Sequence, residues 1–318
     1  MFAVRGIAVS FSILVVLYSA LYLAVWAVWR RVWVYGQQYS ARHCADLLFT
    51  LRMVPLVVAT LVILALAVPS FLLLEPRAVE EPMGAVPMLL GFCGMSVMLA
   101  GVWKAAAALV RASRTMARWS SEACVVRSSD SKDAVPVLRS AAAPPLTAAG
   151  IFRPRVWLSA AAEFVLTERE LQSALRHEVV HVRRFDNLRK LVLRLAVFPG
   201  MAELESAWRE ATEMAADDAA VSSASEALDL AAAVIKLARL ASREAPAELT
   251  TALVHSPAEC VNARVERLIA WTERRRSPAK EYSLGYALCA AAAVVVTLAV
   301  TYSELLVRVH AATEWLVR

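Results

Sequence analysis

Two histidines and a glutamate carry the chemistry this chain can do. His177, Glu178 and His181 stand in the run HEVVH. On a helix, a spacing of four puts both imidazoles on one face about a turn apart, as two ligands of one ion require. Glu178 follows the first His directly, and its carboxylate can take a proton from a water activated at such an ion. The chain has only five histidines, and two of them make this pair. A zinc site that keeps one position open for water needs a third protein ligand. Downstream, Glu203, Glu205, Glu210 and Glu213 all offer a carboxylate. Glu203 and Glu205 lie close to a turn and are expected to face solvent. Glu213 and Asp217 are spaced i, i+4 on one helix face. One can therefore bind metal while the other fixes an imidazole N–H from behind, with Asp218 as the alternative partner. The implied cofactor is Zn2+.

These residues need a rigid frame, and the surrounding sequence supplies one. Thr167 and Glu170 form a T-x-x-E capping box, so a helix should start near Glu168. It is expected to run to about Val197, where Phe198-Pro199-Gly200 stops it. A second helix is expected over about Ala202–Val221. A third follows a capping box at Ser223 and Glu226 and runs to about Arg243. Before the motif, Ala123–Arg127, Val135–Arg139 and Arg155–Leu158 read as short strands. Arg155–Leu158 is the candidate edge to which an extended substrate could add. Residues 113–282 therefore read as an α+β zinc-peptidase domain.

The rest of the chain is apolar. Of 318 residues, 59 % are hydrophobic, and the mean hydropathy is +0.54. An ordinary soluble domain is nearer to half apolar. Four runs are long enough to cross a bilayer: Gly6–Trp29, Met53–Leu74, Met83–Trp103 and Leu284–Tyr302. Basic residues flank them unevenly. Arg30, Arg31, Arg42 and Arg52 follow the first run, and Lys104, Arg111, Arg114 and Arg118 follow the third. Arg274, Arg275, Arg276 and Lys280 precede the fourth. The loop after the second run holds Glu75, Glu80 and Glu81 against Arg77 alone. The positive-inside rule then puts the HEVVH region in the cytoplasm and both termini outside a bacterial-type plasma membrane. The fold class expected is a mainly α membrane protein. Residues 1–112 carry three transmembrane helices. Residues 283–318 form the fourth and a short outward tail. The net charge of +6 fits this topology rather than direct nucleic-acid binding. Five scattered cysteines without a CxxC pair suggest neither a disulfide framework nor a cysteine metal site.

The run HEVVHVRRFD, His177 to Asp186, resembles the HExxHxxRxD signature of BlaR/MecR-type antirepressor membrane metallopeptidases, which are gluzincins. WREATEMAAD, Trp208 to Asp217, is similar to that family's ExxCD segment, with Ala216 in place of the usual Cys. GIFRPRVWLS, Gly150 to Ser159, matches the family's approach to the motif. The resemblance implies that His177, His181 and Glu213 bind zinc, that Glu178 is the general base and that Asp217 supports the ligands. Arg184 and Asp186 match family positions, where a structural ion pair joining two helices is the favoured role. The implied function is regulatory proteolysis of a BlaI/MecI-like winged-helix repressor. The family's penicillin-binding sensor is absent from the residues after the last run, which contain no SxxK motif. Sensing is therefore expected to run through the spans, the short loops or a partner protein, with a homo-oligomer or a separate sensor protein as the expected partners. A weaker likeness to CAAX-protease and HtpX-type gluzincins lies in HSPAECVNARVERL. It would put His255 or Arg267 near the site as a transition-state stabiliser, and it implies membrane quality control as an alternative function. A non-catalytic receptor or scaffold with structural zinc is the third reading, and the intact Glu178 argues against it.

Overall fold

A computed structural model describes residues 2–75, 84–121, 123–127, 135–198, 200–240, 250–252, 258–271 and 302–312. Three long apolar helical segments dominate the first third of the chain. In lipid no water can satisfy a peptide group, so an apolar run this long closes its own hydrogen bonds as helix. α1 spans Phe2–Gly36. α2 (Ala41–Val62) continues through a π-helical turn (Ile63–Ala67) into α3 (Val68–Leu74). α4 spans Ala85–Ser120. Each is longer than the apolar run that foretold it, because the helices continue past the hydrocarbon-length core into polar ends. Arg42 and Arg52 thus lie within α2 and not in a loop. Arg52 is 3 % exposed. The expected fourth span falls outside the described residues except for Tyr302.

Two devices hold the bundle. α1 and α4 meet backbone to backbone at Gly91 and Gly94. A Cβ on Gly91 would stand 2.7 Å from Ala8 O, and one on Gly94 would run into Phe11 O. Small residues permit this approach, and the gain is van der Waals contact, because lipid tails are as apolar as the helices. Ser12 Oγ adds a link across the same seam, donating to Pro87 O at 2.6 Å. At the π turn the disturbed ladder leaves Ala65 O to accept from Tyr302 Oη at 2.7 Å, from the helix over residues 302–312.

The site region packs on the opposite end of the bundle. Its elements are β1 (Cys124–Arg127), β2 (Val137–Arg139), β3 (Leu146–Ala149), β4 (Arg155–Leu158), α5 (Ala160–Val165), α6 (Glu168–Arg183), α7 (Asp186–Leu193), α8 (Ala202–Ala220), α9 (Ala224–Leu240), β5 (Thr250–Ala252) and α10 (Ala258–Ile269). The sheet order is β1-β2-β4-β3-β5, with β2 and β4 parallel and the other pairs antiparallel. β4 is therefore internal, between β2 and β3, and cannot be the open edge expected for substrate.

Both faces of the sheet are covered. Leu146, Ala148, Val156 and Leu158 pack with α6 and α9 through Leu175, Leu230 and Val234. Trp157 and Leu138 face Trp119 of α4, with the two indoles edge to face at 5.6 Å. A separate core joins the bundle to α8: Tyr18, Tyr22, Leu48, Leu204 and Trp208 belong to one buried cluster. Leu204, on the helix outside the spans, contributes about 1.5–3 kcal/mol by leaving water, whereas the tyrosines within α1 contribute close packing. Arg52 seals the junction, donating to Ala196 O at 2.5 Å and pairing with Glu205 at 3.1 Å. Glu203 pairs with Arg30 at 2.7 Å and is exposed, as expected. Glu205, expected in solvent, instead serves Arg52.

Candidate metal centre

α6 carries the motif. Its first turn is closed by the expected box: Thr167 Oγ1 accepts from Glu170 N at 3.4 Å, and Glu170 Oε2 accepts from Thr167 N at 2.8 Å. The helix ends at Arg183, well short of Val197. Phe185 sits at φ 56°, in the left-handed region, and α7 starts at Asp186. A bulky residue there costs on the order of 1–3 kcal/mol. The break turns the chain back on itself, so that Asp186 Oδ2 lies 2.7 Å from His181 Nδ1.

His177 and His181 are 0 % and 1 % exposed. Their Nε2 atoms lie 3.0 Å apart. Glu213 of α8 completes the group: Oε2 is 3.5 Å from His177 Nε2, and Oε1 is 3.6 Å from His181 Nε2. Bonds of 2.0–2.1 Å at tetrahedral angles put ligand atoms about 3.3 Å apart. The two Nε2 atoms are spaced near that value, and a different Glu213 oxygen stands close to it from each imidazole. Both Nδ1 atoms face carboxylates: Asp217 Oδ1 lies 2.9 Å from His177, and Asp186 serves His181. With Nδ1–H held there, both Nε2 lone pairs turn to the common point. His177, His181 and Glu213 are the set among the described residues able to hold an ion together. The donor chemistry, two imidazoles and one carboxylate, fits Zn2+.

Glu178, next to His177 on the helix, reaches the sheet with one oxygen. Its Oε2 accepts from Ala148 N of β3 at 2.7 Å. Its Oε1 is buried without a hydrogen-bond partner. Asn187 of α7 holds the other backbone polar group of the same residue, donating to Ala148 O at 3.1 Å. One carboxylate oxygen is thus fixed and the other is left for a proton.

The electrostatics agree with this division of labour. Burial pushes Glu178 up to about 7, against the pull of His181 and His177. Burial works against a charged His177, but the Asp217 and Glu213 carboxylates outweigh it and hold the imidazole up at about 9. Burial would raise Glu213, yet Arg264 and the two imidazoles bring it down to about 2. Burial would raise Asp217 too, but Arg264 and His177 together outweigh it and hold the carboxyl below its usual range. The metal-free site therefore carries a proton on His177 that a cation must displace. Burial lowers Lys190 of α7, against the pull of the Glu213, Asp186 and Glu178 carboxylates.

The structure brings His177, Glu178, His181, Glu213, Asp217 and Asp186 together. Arg184 stands at the rim, 3.7 Å from Asp186 Oδ1 and 3.8 Å from Asp46. Asp186 thus serves a metal ligand as well as the ion pair expected of it. Asp218 is not beside an imidazole; it pairs with Arg267 at 2.6 Å on the surface. Arg267 also donates to Met214 O at 3.1 Å, beside Glu213. His255 lies outside the described residues. The residue missed is Arg264, 1 % exposed. Its signal was its place on the apolar stripe of α10, between Val261 and Leu268, where a cation needs a buried partner.

No protein-family model and no curated protein matches the chain. The class is set by the site: HExxH with a downstream Glu, the gluzincin arrangement, is the active site of a zinc metalloendopeptidase. Among the described residues, three helices are long and apolar enough to cross a membrane.

Proposed function

We propose that this membrane protein cuts a cytoplasmic protein at a defined site and that the cut is regulatory. The observation carrying the peptidase reading is the metal set with an unpartnered Glu178 Oε1 beside it. When bound, zinc makes water more acidic and polarises a carbonyl oxygen. His177, His181 and Glu213 would hold it, with Asp217 and Asp186 fixing the imidazoles. Glu178, anchored through Oε2 to Ala148 N, takes a proton from the attacking water and passes it to the leaving amine. The two helices bearing these groups are clamped against β3, α9 and α10, so little reorganisation is needed during the reaction.

The address is supported by where the site docks. α8 meets the bundle at its arginine-rich end, through Arg30–Glu203 and Arg52–Glu205. That end is cytoplasmic under the positive-inside rule. The far end holds Arg5 and Glu75, paired at 3.0 Å, and the helix over residues 302–312 packs there through Ser70. A cytoplasmic substrate such as a winged-helix repressor follows from the resemblance of HEVVHVRRFD and WREATEMAAD to the BlaR/MecR-type signatures.

The test is to co-express the membrane protein with any winged-helix repressor encoded beside its gene, or failing one to incubate it with the total cytoplasmic protein of the host, and to sequence the fragments. A single cut that disappears with Glu178→Gln is expected. Many cuts in unrelated, damaged membrane proteins, with the repressor intact, would favour the quality-control reading instead.

A further inference from the structure

We infer that Arg264 is a positioning residue of the metal centre: it holds Glu213 by one oxygen and Asp217 by both, so that Glu213 presents a single oxygen to the metal. The inference rests on the zinc-peptidase reading of the site and deepens it. Arg264 enters from α10 and spreads its guanidinium over two carboxylates of α8, four residues apart. Nε donates to Asp217 Oδ2 at 2.9 Å and Nη2 to Asp217 Oδ1 at 2.7 Å. Nη1 lies 3.0 Å from Glu213 Oε2. Asp217 Oδ1 is also the oxygen facing His177 Nδ1. One side chain therefore touches one metal ligand directly and orients a second through Asp217.

The arrangement has a consequence for coordination. A Glu carboxylate can bind a metal through one oxygen or two. A cation that already holds Oε2 competes with a second cation for it, so the metal is left with Oε1. A fixed, planar fork suits this task, because two nitrogens lock Asp217 while the third reaches Glu213. Lysine, a single point charge, can serve one carboxylate or the other. Without the fork Glu213 is free to bind through both oxygens and fill the position that water needs.

The test uses the full-length protein in detergent with Co2+ as probe, comparing wild type with Arg264→Lys and Arg264→Met. Chelator competition reads affinity, and visible absorption reads coordination number. The expected result for Arg264→Lys is binding weakened by about 10–100-fold with loss of the intense four-coordinate bands, in a protein that still elutes as folded. Removing a buried charge partner can unfold the methionine variant, so the lysine variant decides. Affinity and spectrum within twofold of wild type in Arg264→Lys would overturn the inference. Loss of fold in Arg264→Lys would overturn it too, since the residue would then be structural. Failure of the wild type to bind Co2+ would instead overturn the metal reading on which it rests.

Discussion

Where α1 meets α4, two backbones touch through glycines, with the Ser12 hydroxyl bonded across the seam. Where α6 meets α8, and α10 reaches α8 through Arg264, the site is made of ionisable side chains almost wholly removed from water. Both are buried interfaces of one chain, yet they solve different problems. The bundle must choose one close packing in a medium with no hydrophobic drive between helices, and shape alone does that. The site must keep several charges out of water, which is tolerable only if each is paired. Stability and chemistry should therefore be separable by where the chain is altered.

The largest effect lies at the ligands. Glu213→Ala should leave no retained zinc after chelation and dialysis, against about one ion per wild-type chain, while the thermal transition of the bundle in detergent stays in place. Zinc retained at wild-type level would move the third ligand to another carboxylate.

A smaller loss is expected one step out. Asp186→Asn, which weakens the grip on His181 Nδ1, should reduce zinc affinity by about 10–100-fold, read by competition with a chromophoric chelator. The bundle gives the mirror image. Gly94→Leu forces α1 and α4 apart and should cost about 1–3 kcal/mol, read as a lowered thermal midpoint. Its zinc affinity at low temperature should match wild type. A Gly94→Leu protein that loses zinc while still folded would mean the two regions are coupled, and the contrast would fail.

Proton competition sharpens the contrast further. His177 stands at about 9 without metal, above the usual value of about 6.5. Between pH 6 and 8 one proton must leave before a cation binds, so zinc affinity should rise about tenfold per pH unit. The same shift stabilises the metal-free fold fully below about pH 6.5, and that contribution is lost as pH rises through about 9. In Asp217→Asn the slope should flatten, because the carboxylate that holds the proton is gone.

The motif helix, its capping box and three apolar spans were legible because each rests on local spacing. β3 was not: Leu-Thr-Ala-Ala after a Pro-Pro pair has little strand character, and only its two covered faces make it a strand. The break at Phe185 carries no glycine or proline at the break itself. It exists because Asp186 finds His181, a tertiary contact that local pattern does not report. β4 looked like an edge because a short alternating run does not reveal how many neighbours it has. Arg264 and Arg267 lie three residues apart on one helix, and only burial, which local pattern does not report, separates their roles.

The most direct test compares wild type with Glu178→Gln in the same membrane preparation, measuring bound zinc and peptide-bond cleavage together. Both proteins should hold the same zinc, because Glu178 is not a ligand. The variant should cleave about 10²–10⁴-fold more slowly, the usual contribution of a positioned general base. Cleavage by Glu178→Gln at the wild-type rate, with zinc in place, would contradict the assignment of this site as the peptidase centre.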